Sequence, residues 1–233
     1  MQLTTISFFQ LEGLAARFWA LSQMQLGHRY LSGIKGLTFY KLMGSGRAEG
    51  FDWRPEWGRY ALLMVWESEE YAERYFQENA YYREYSSRAA ATYTLYMRCH
   101  SAHGSWSGST VFELDDRPWK GPVAVITRAT IRWNKVAGFW REVAPVADSL
   151  DDFPGKRMAV GIGEWPLIQQ ATFSLWADEQ SMKDYAYKHP AHREVIRKTR
   201  QLGWYSEELF ARFTPFRSVG SWYGTDPLSE ILL

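Results

Sequence analysis

Apolar residues along this chain switch between a period of two and a period near 3.6, and the switches come in one order, twice. Leu3, Thr5 and Ser7 alternate with Thr4, Ile6 and Phe8, a first strand of mixed pattern. Leu11, Leu14, Ala15, Phe18, Leu21 and Ser22 then fall at helical spacing, which predicts a helix over Leu11 to Met24. A second strand over Leu37 to Met43 runs into Gly44-Ser45-Gly46 and a glycine-rich loop reaching about Trp57. Tyr60 to Trp66 predicts a third strand, Ser68 to Ala91 a helix broken near Asn79, and Tyr93 to Met97 a fourth strand. The order is β-α-β-β-α-β, the ferredoxin-like arrangement.

The second half repeats it. Val123 to Ile131 predicts a strand, Val136 to Ala147 a helix, and Met158 to Ile162 a strand. In Gln170 to Trp176, Ala171, Phe173 and Leu175 alternate with Thr172 and Ser174, as in a half-buried strand. Glu179 to Gln201 is helical, with Asp178 as its N-cap. His189-Pro190 interrupts that helix, because proline lacks an amide proton and disfavours helix at the residue before it. Leu209 to Phe216 closes the unit. The halves also match by residue: Trp66 with Trp176, Tyr82-Arg83 with His192-Arg193, and Phe18-Trp19 with Phe139-Trp140. Gly44-Ser-Gly46 likewise matches Gly161-Ile-Gly163, and Gly104-Ser-Trp106 matches Gly220-Ser-Trp222. A spacing this long indicates a domain duplication. It divides the chain into a repeat over 1–106, a Ser-, Asp- and Pro-rich linker over 107–122, and a repeat over 123–233. A sheet with helices on one face must bury the other. Two such sheets packed together give an α+β fold, the fused form of a dimeric α+β barrel.

Composition narrows the function. With 27 basic and 26 acidic residues there is no electrostatic case for nucleic acid. One cysteine, Cys99, excludes an internal disulfide framework and a four-cysteine zinc site. No apolar run is long enough to span a membrane, and the first residues lack the basic start of a signal peptide, so a cytoplasmic protein is expected. The 12 Trp, 14 Tyr and 13 Phe supply core area, or the lining of a pocket for a flat or long apolar ligand.

Five histidines carry most of the candidate chemistry. His192 shares a helical face with Val195, Ile196 and Thr199, which suits either a core histidine or an axial haem ligand. His189 and His192 lack a third ligand for zinc, and Pro190 turns them apart. His100 and His103 read as polar residues at a strand end, and His28 as a loop residue. Arg128 lies in an otherwise apolar strand and points either into a barrel or out of it; inward, it could pair a haem propionate or act on the distal side. The adjacent pairs Glu69-Glu70 and Glu207-Glu208 diverge and read as solvated faces. Gly44-Ser-Gly46 lacks the further residues of a nucleotide loop, and no serine has a nucleophile-elbow frame.

Several long motifs run along the chain: Lys41-Leu-Met-Gly44-Ser-Gly46 with Gly50-Phe51 and Pro55-Glu-Trp57, Leu-Met-Val-Trp66, and Ile126-Thr-Arg128-Ala-Thr130. Val160-Gly-Ile-Gly163-Glu-Trp-Pro166, Gln169-Gln170-Ala-Thr-Phe173-Ser-Leu-Trp176 and Trp204-Tyr-Ser-Glu-Glu-Leu-Phe-Ala-Arg-Phe213 follow. In content and order these motifs resemble the spheroidene monooxygenases of carotenoid biosynthesis. The resemblance implies a haem b (iron) monooxygenase that uses O2 and electrons from an external donor protein to place a keto group on an acyclic carotenoid. Two hydroxylations at one carbon would give a geminal diol that loses water. His192 falls where the family has a histidine in the same helix, implying the iron ligand, and Arg128 is the distal or propionate-binding candidate. A lipid-dissolved substrate implies peripheral contact with the inner membrane, expected through aromatics near Gly50 to Trp57. Other haem chemistry on this barrel (peroxidase-like or haem-degrading), or a non-catalytic carrier of haem or an apolar ligand, are the alternatives. Exposed barrel sheets also make a homo-oligomer a candidate state.

Overall fold

The computed structural model describes residues 1–47, 54–147, 153–188 and 190–232, apart from the side chains of 143–147, 191–193, 195, 196 and 200. Its first half runs β1 (Leu3–Gln10), α1 (Leu14–Leu26), α2 (His28–Leu31), β2 (Leu37–Gly46), β3 (Pro55–Trp66), α3 (Glu69–Glu78), α4 (Ala80–Arg88) and β4 (Ala91–Gly104). The second runs β5 (Val123–Ile131), α5 (Val136–Ala147), β6 (Lys156–Trp165), β7 (Gln169–Trp176), α6 (Glu179–Lys188), α7 (Pro190–Leu202) and β8 (Tyr205–Gly220), before a last turn of helix, α8 (Ser229–Leu232). The eight strands close into one antiparallel barrel in the order β1-β3-β2-β6-β7-β5-β8-β4. Each half contributes four neighbouring strands. The fold is the duplicated ferredoxin-like, fused α+β barrel.

Local sequence explains the punctuation. Asn79 ends α3 and caps α4, its Oδ1 accepting from the amides of Tyr81 at 2.9 Å and Tyr82 at 3.1 Å. Asp178 caps α6 in the same way, accepting from the Ser181 amide at 2.7 Å. Helix α6 stops at Lys188 and α7 starts on Pro190, the favoured first-turn position. Strand β8 is much longer than the Leu209 to Phe216 pattern suggests, because it bridges the halves. It pairs with β5 from Tyr205 to Phe213 and with β4 from Leu209 to Gly220. Pro215 is tolerated there because the ladder shifts register beside it, between Tyr96 and Met97.

The two seams follow the duplication's pseudo-twofold axis. Gly44 pairs with Gly163 and Ser45 with Ile162 where β2 meets β6. Gly44 therefore corresponds to Gly163, two residues from the alignment of the glycine motifs by spacing. The other glycine match holds: Gly104 at φ +92° and Gly220 at φ +90° end β4 and β8. A Cβ on either would lie 2.0 Å from a carbonyl oxygen, that of Glu208 or Thr92. Each is followed by a tryptophan in a small β-bridge, Trp106 to Ser109 and Trp222 to Thr225, at opposite ends of the barrel.

The barrel interior is a packed core. Ile6, Phe8, Leu63, Val65, Ile126, Val160, Phe173 and Phe213 interdigitate within it, closed by Trp106 at one end. The helices lie outside. Under α1 to α4 a second core joins Leu62, Met64 and Trp66 to Tyr75, Tyr81 and Tyr85. Under α5 and α6 the outer cores are small: Val123, Val125, Ala159, Trp176 and Met182 form one, and Ile131, Phe139, Trp140 and Trp204 the other.

Helix α1 departs from its sequence pattern. It begins at Leu14, and the stripe predicted from Leu14, Phe18 and Leu21 faces outward, while Ala20 and the polar Gln23 are buried. Phe18 is 69% exposed, whereas Phe139, its match in the second half, is fully buried.

Candidate functional site

Strand register decides the direction of Arg128. Ala124 and Ile126 point into the barrel, so Arg128, two residues on, points inward and is 1% exposed. Its guanidinium meets the Glu207 carboxylate in an ion pair, and lies 3.6 Å from Glu164 and 5.7 Å from the Trp106 ring centroid. Glu164 also accepts from Trp106 Nε1 at 2.6 Å and from Lys41 Nζ at 2.5 Å. Glu207 accepts from Ser105 Oγ at 2.9 Å and the Gly108 amide at 2.7 Å. Burial alone would raise the Glu207 carboxyl. Hydrogen bonds from Gly108, Arg128 and Ser105, with the guanidinium charge, outweigh that and hold it at about 2. Two basic and two acidic groups thus cancel at one end of the barrel. The equivalent of Arg128 in the first half is Phe8, since each opposes an alanine, Ala171 or Ala61, on the neighbouring strand. The fold itself does not require a charge there.

Glu207 was the residue that spacing misread. The pair Glu207-Glu208 diverges as expected, but only Glu208 is solvated; Glu207 turns inward because Leu209 and Ala211 set the inner face of β8. Glu69 and Glu70 do stay at the surface, paired with Arg98 and Arg74.

His192 lies in α7, with its side chain, and those of Val195 and Ile196, outside the described residues. His189 is outside them too. Helix α7 belongs to the outer layer, tied to α5 by Lys198 Nζ to Glu142 at 2.5 Å. Arg128 and α7 are therefore on opposite faces of the sheet. The two sequence candidates cannot contact one ligand held between α7 and the strands, because the register that buries Arg128 in the barrel turns it away from the helices.

The outer face of the second half's sheet has its own character. It presents Ala159, Gly161 and Gly163 from β6, Thr172 and Ser174 from β7, and Thr127 and Ala129 from β5. The same positions in the first half hold Tyr40, Leu42, Gly44, Leu62, Met64, Ser7 and Phe9. Large apolar side chains lie under the helices there, and small or polar ones stand at the matching positions here. Thr127, Thr172 and Ser174 are accordingly part-exposed although they sit in central strands, whereas Thr5, Ser7 and Thr94 of the first half are buried.

The remaining histidines lie elsewhere. His100 is half-buried, its Nδ1 3.4 Å from Thr214 Oγ1, and burial followed by the nearby Arg212 lowers its pKa. His103 is exposed, as expected at a strand end. His28 opens α2, 3.1 Å from the Tyr40 hydroxyl. Cys99 is buried and its thiol is pushed up to about 12 by that burial. No cluster of three metal-ligating side chains occurs among the described residues. A groove of 680 Å³ runs between α1, α2, β2 and the β6–β7 hairpin, bordered by Leu21, Gln25, His28, Tyr40, Lys41 and Trp165.

No family model matches the chain. Whole-chain comparison does identify relatives. The spheroidene monooxygenase of Rhodobacter capsulatus is 34% identical, with 100% of this chain and 98% of that protein covered. The chain belongs to the spheroidene monooxygenase family. Another member, the spheroidene monooxygenase of Cereibacter sphaeroides, is 35% identical over 100% of this chain and 72% of its own length. Membership of the spheroidene monooxygenase family makes this chain an enzyme, a monooxygenase. Among solved structures, an aldoxime dehydratase in complex with butyraldoxime superposes with a TM-score of 0.63, covering 92% of this chain and 79% of that one. At 10% identity that likeness concerns the fold alone.

Proposed function

We propose that this monooxygenase oxidises an acyclic carotenoid, adding a keto group, with haem b bound between α7 and the outer face of the second half's sheet. The whole-chain identity to two spheroidene monooxygenases carries the substrate class. The small-residue face of β5, β6 and β7 supports the place of the haem: it carries glycine, serine and threonine where the first half carries large apolar side chains. His192 would be the iron ligand, and Gly161, Thr172, Thr127 and Ser174 would lie beneath the macrocycle. When bound, haem supplies O2 activation with electrons from an external donor protein.

The chain's own residues bind and exclude. Phe139, Trp140 and Trp204 wall one side of that face with aromatic edges and keep it poor in water. Arg128 acts from the inner side, where its pairing with Glu207 and Glu164 ties β5 to β8 and β6 and holds the strands bearing Thr127 and Gly163. It is a positioning residue. Oxidation of a methylene to a ketone removes two hydrogens and adds one oxygen, through two successive hydroxylations and loss of water. Because the substrate lives in lipid, peripheral membrane contact belongs to the same reading; half of the Gly50 to Trp57 segment, residues 50–53, is outside the described residues.

The test is the absorption spectrum of protein purified with haem supplied, beside His192→Ala, followed by turnover of acyclic carotenoids under O2 with a reductant. A Soret band lost or shifted in the variant, and a product one oxygen heavier and two hydrogens lighter, are expected. A wild-type protein that takes up no haem, or a Soret band indifferent to His192→Ala, overturns the haem assignment. Absence of carotenoid oxidation by haem-loaded protein overturns the substrate.

A further inference from the structure

Helix α1 is apolar on both sides. Ala16, Trp19, Ala20 and Met24 face the core together with the polar Gln23, and Leu14, Phe18 and Leu21 share the opposite, outward direction with Gln25. Leu14 is 74% exposed and Phe18 69%, while Gln23 is 5% exposed. Leu26 and, on α2, Tyr30 extend the apolar surface. The water-facing side of a surface helix ordinarily carries polar residues, and contiguous exposed apolar side chains mark a surface that is covered by something.

Charge says what covers it. From Gly13 to Ala48 the sequence has no Asp or Glu, yet it has Arg17, Arg29, Lys35, Lys41 and Arg47. Arg17 is turned to the Leu11 carbonyl and Lys41 is paired with Glu164, which leaves Arg29 exposed on α2 and Lys35 exposed just after it, its Nζ 5.9 Å from the Tyr71 ring centroid. A two-fold pairing of this face with a second copy would bring the same positive charges together. Exposed leucine and phenylalanine on a segment whose charges are all basic, with a tyrosine at the margin, match the headgroup region of an anionic bilayer.

We propose that the outward face of α1, with Tyr30 and Arg29 of α2, docks this enzyme on an anionic lipid bilayer. Leu14, Phe18 and Leu21 enter the headgroup–acyl boundary while Arg29 and Lys35 meet lipid phosphates. The 680 Å³ groove opens beside the same surface, with Leu21, Ser22 and Gln25 of α1 on its border. Its use as the entry for a substrate dissolved in the bilayer rests on the carotenoid reading above; the lipid contact itself does not.

The experiment is co-sedimentation of the full chain with vesicles of phosphatidylcholine alone and of phosphatidylcholine with phosphatidylglycerol. Wild type binds the anionic vesicles more tightly, and the double variant Phe18→Glu/Leu21→Glu loses at least about tenfold in partitioning. Trp133→Glu, which removes a tryptophan 83% exposed on the other half, leaves binding unchanged. Because Cys99 is buried, a single added cysteine can be labelled selectively. An environment-sensitive dye on Phe18→Cys shifts to the blue on anionic vesicles, and the same dye on Trp133→Cys does not. The proposal is overturned if wild type ignores both vesicles, or if the double variant binds as wild type does. It is also overturned if the Phe18→Cys dye shifts with protein concentration alone, which assigns the face to a second copy. Carotenoid turnover in detergent micelles, measured alongside, reports on the catalytic reading independently of lipid binding.

Discussion

Replacing Glu207 by glutamine removes one charge from the barrel's end with little change of shape. The amide oxygen still accepts from Ser105 and Gly108, so the loss isolates the ion pair with Arg128. A carboxyl held at about 2, against an ordinary glutamate, corresponds to roughly 3 kcal/mol of stability at neutral pH. The carboxylate is 19% exposed, and solvent screening trims the figure toward about 2 kcal/mol. Arg128 is left with Glu164 at 3.6 Å, so part of its burial is uncompensated. For a chain of this size the melting temperature should fall by about 4–8 °C at pH 7. The sign of the pH dependence is fixed. The folded carboxyl lies below its unfolded value, so its contribution is complete above about pH 5 and disappears as the pH falls toward about 2. Urea denaturation of wild type and Glu207→Gln at a series of pH values reads this directly: the two curves converge in acid. The uncharged double variant Arg128→Met/Glu207→Gln should recover part of the loss, because a buried ion pair is often replaceable where a single partner is not. A single variant within about 0.5 kcal/mol of wild type at pH 7, or a difference that does not shrink in acid, refutes the assignment.

Gly104→Ala and Gly220→Ala should each cost about 2–4 kcal/mol in urea denaturation, since each adds a methyl against a carbonyl oxygen at a positive φ; a loss under about 0.5 kcal/mol in either contradicts the geometry. Thr172→Leu/Ser174→Met, which installs the first half's Leu62 and Met64, should leave the protein folded and at least as stable, with haem uptake reduced about tenfold or more. Haem uptake equal to wild type would place the group elsewhere.

The sequence made the element order readable because its signals were local. Val123 to Ile131 alternates cleanly, and Asn79, Asp178 and Pro190 stop or start helices through their own side chains and rings. Register was harder. Arg128 is flanked by Thr127 and Ala129, neither large enough to announce a face, and its partner Glu207 is 79 positions away. Glu207 was hidden by its neighbour Glu208, since two adjacent acids read as solvent-facing until the strand is placed between β4 and β5. The outward turn of α1 was invisible for a related reason. Period 3.6 reports that Leu14, Phe18 and Leu21 share a face but not which way that face looks, and the usual assumption that apolar means inward fails here. The small-residue face of β5 to β7 was present as letters but acquired meaning only when strand pairing set each residue beside its counterpart in the other half.

That last comparison bears on how such a protein can arise. A barrel built from two identical chains carries the same side chain at both symmetry-related positions, so Leu42 and Gly161, or Met64 and Ser174, could not coexist in it. Any mutation that hollowed one face would hollow both, and the assembly would lose two buttressed layers at once. Joining the halves on one gene removes that coupling. One copy keeps its tyrosines and leucines and anchors the whole cylinder; the other is free to drift toward glycine, serine and threonine while still borrowing its neighbour's rigidity. The covalent link is thus what allows a single molecule to be firm on one side and receptive on the other.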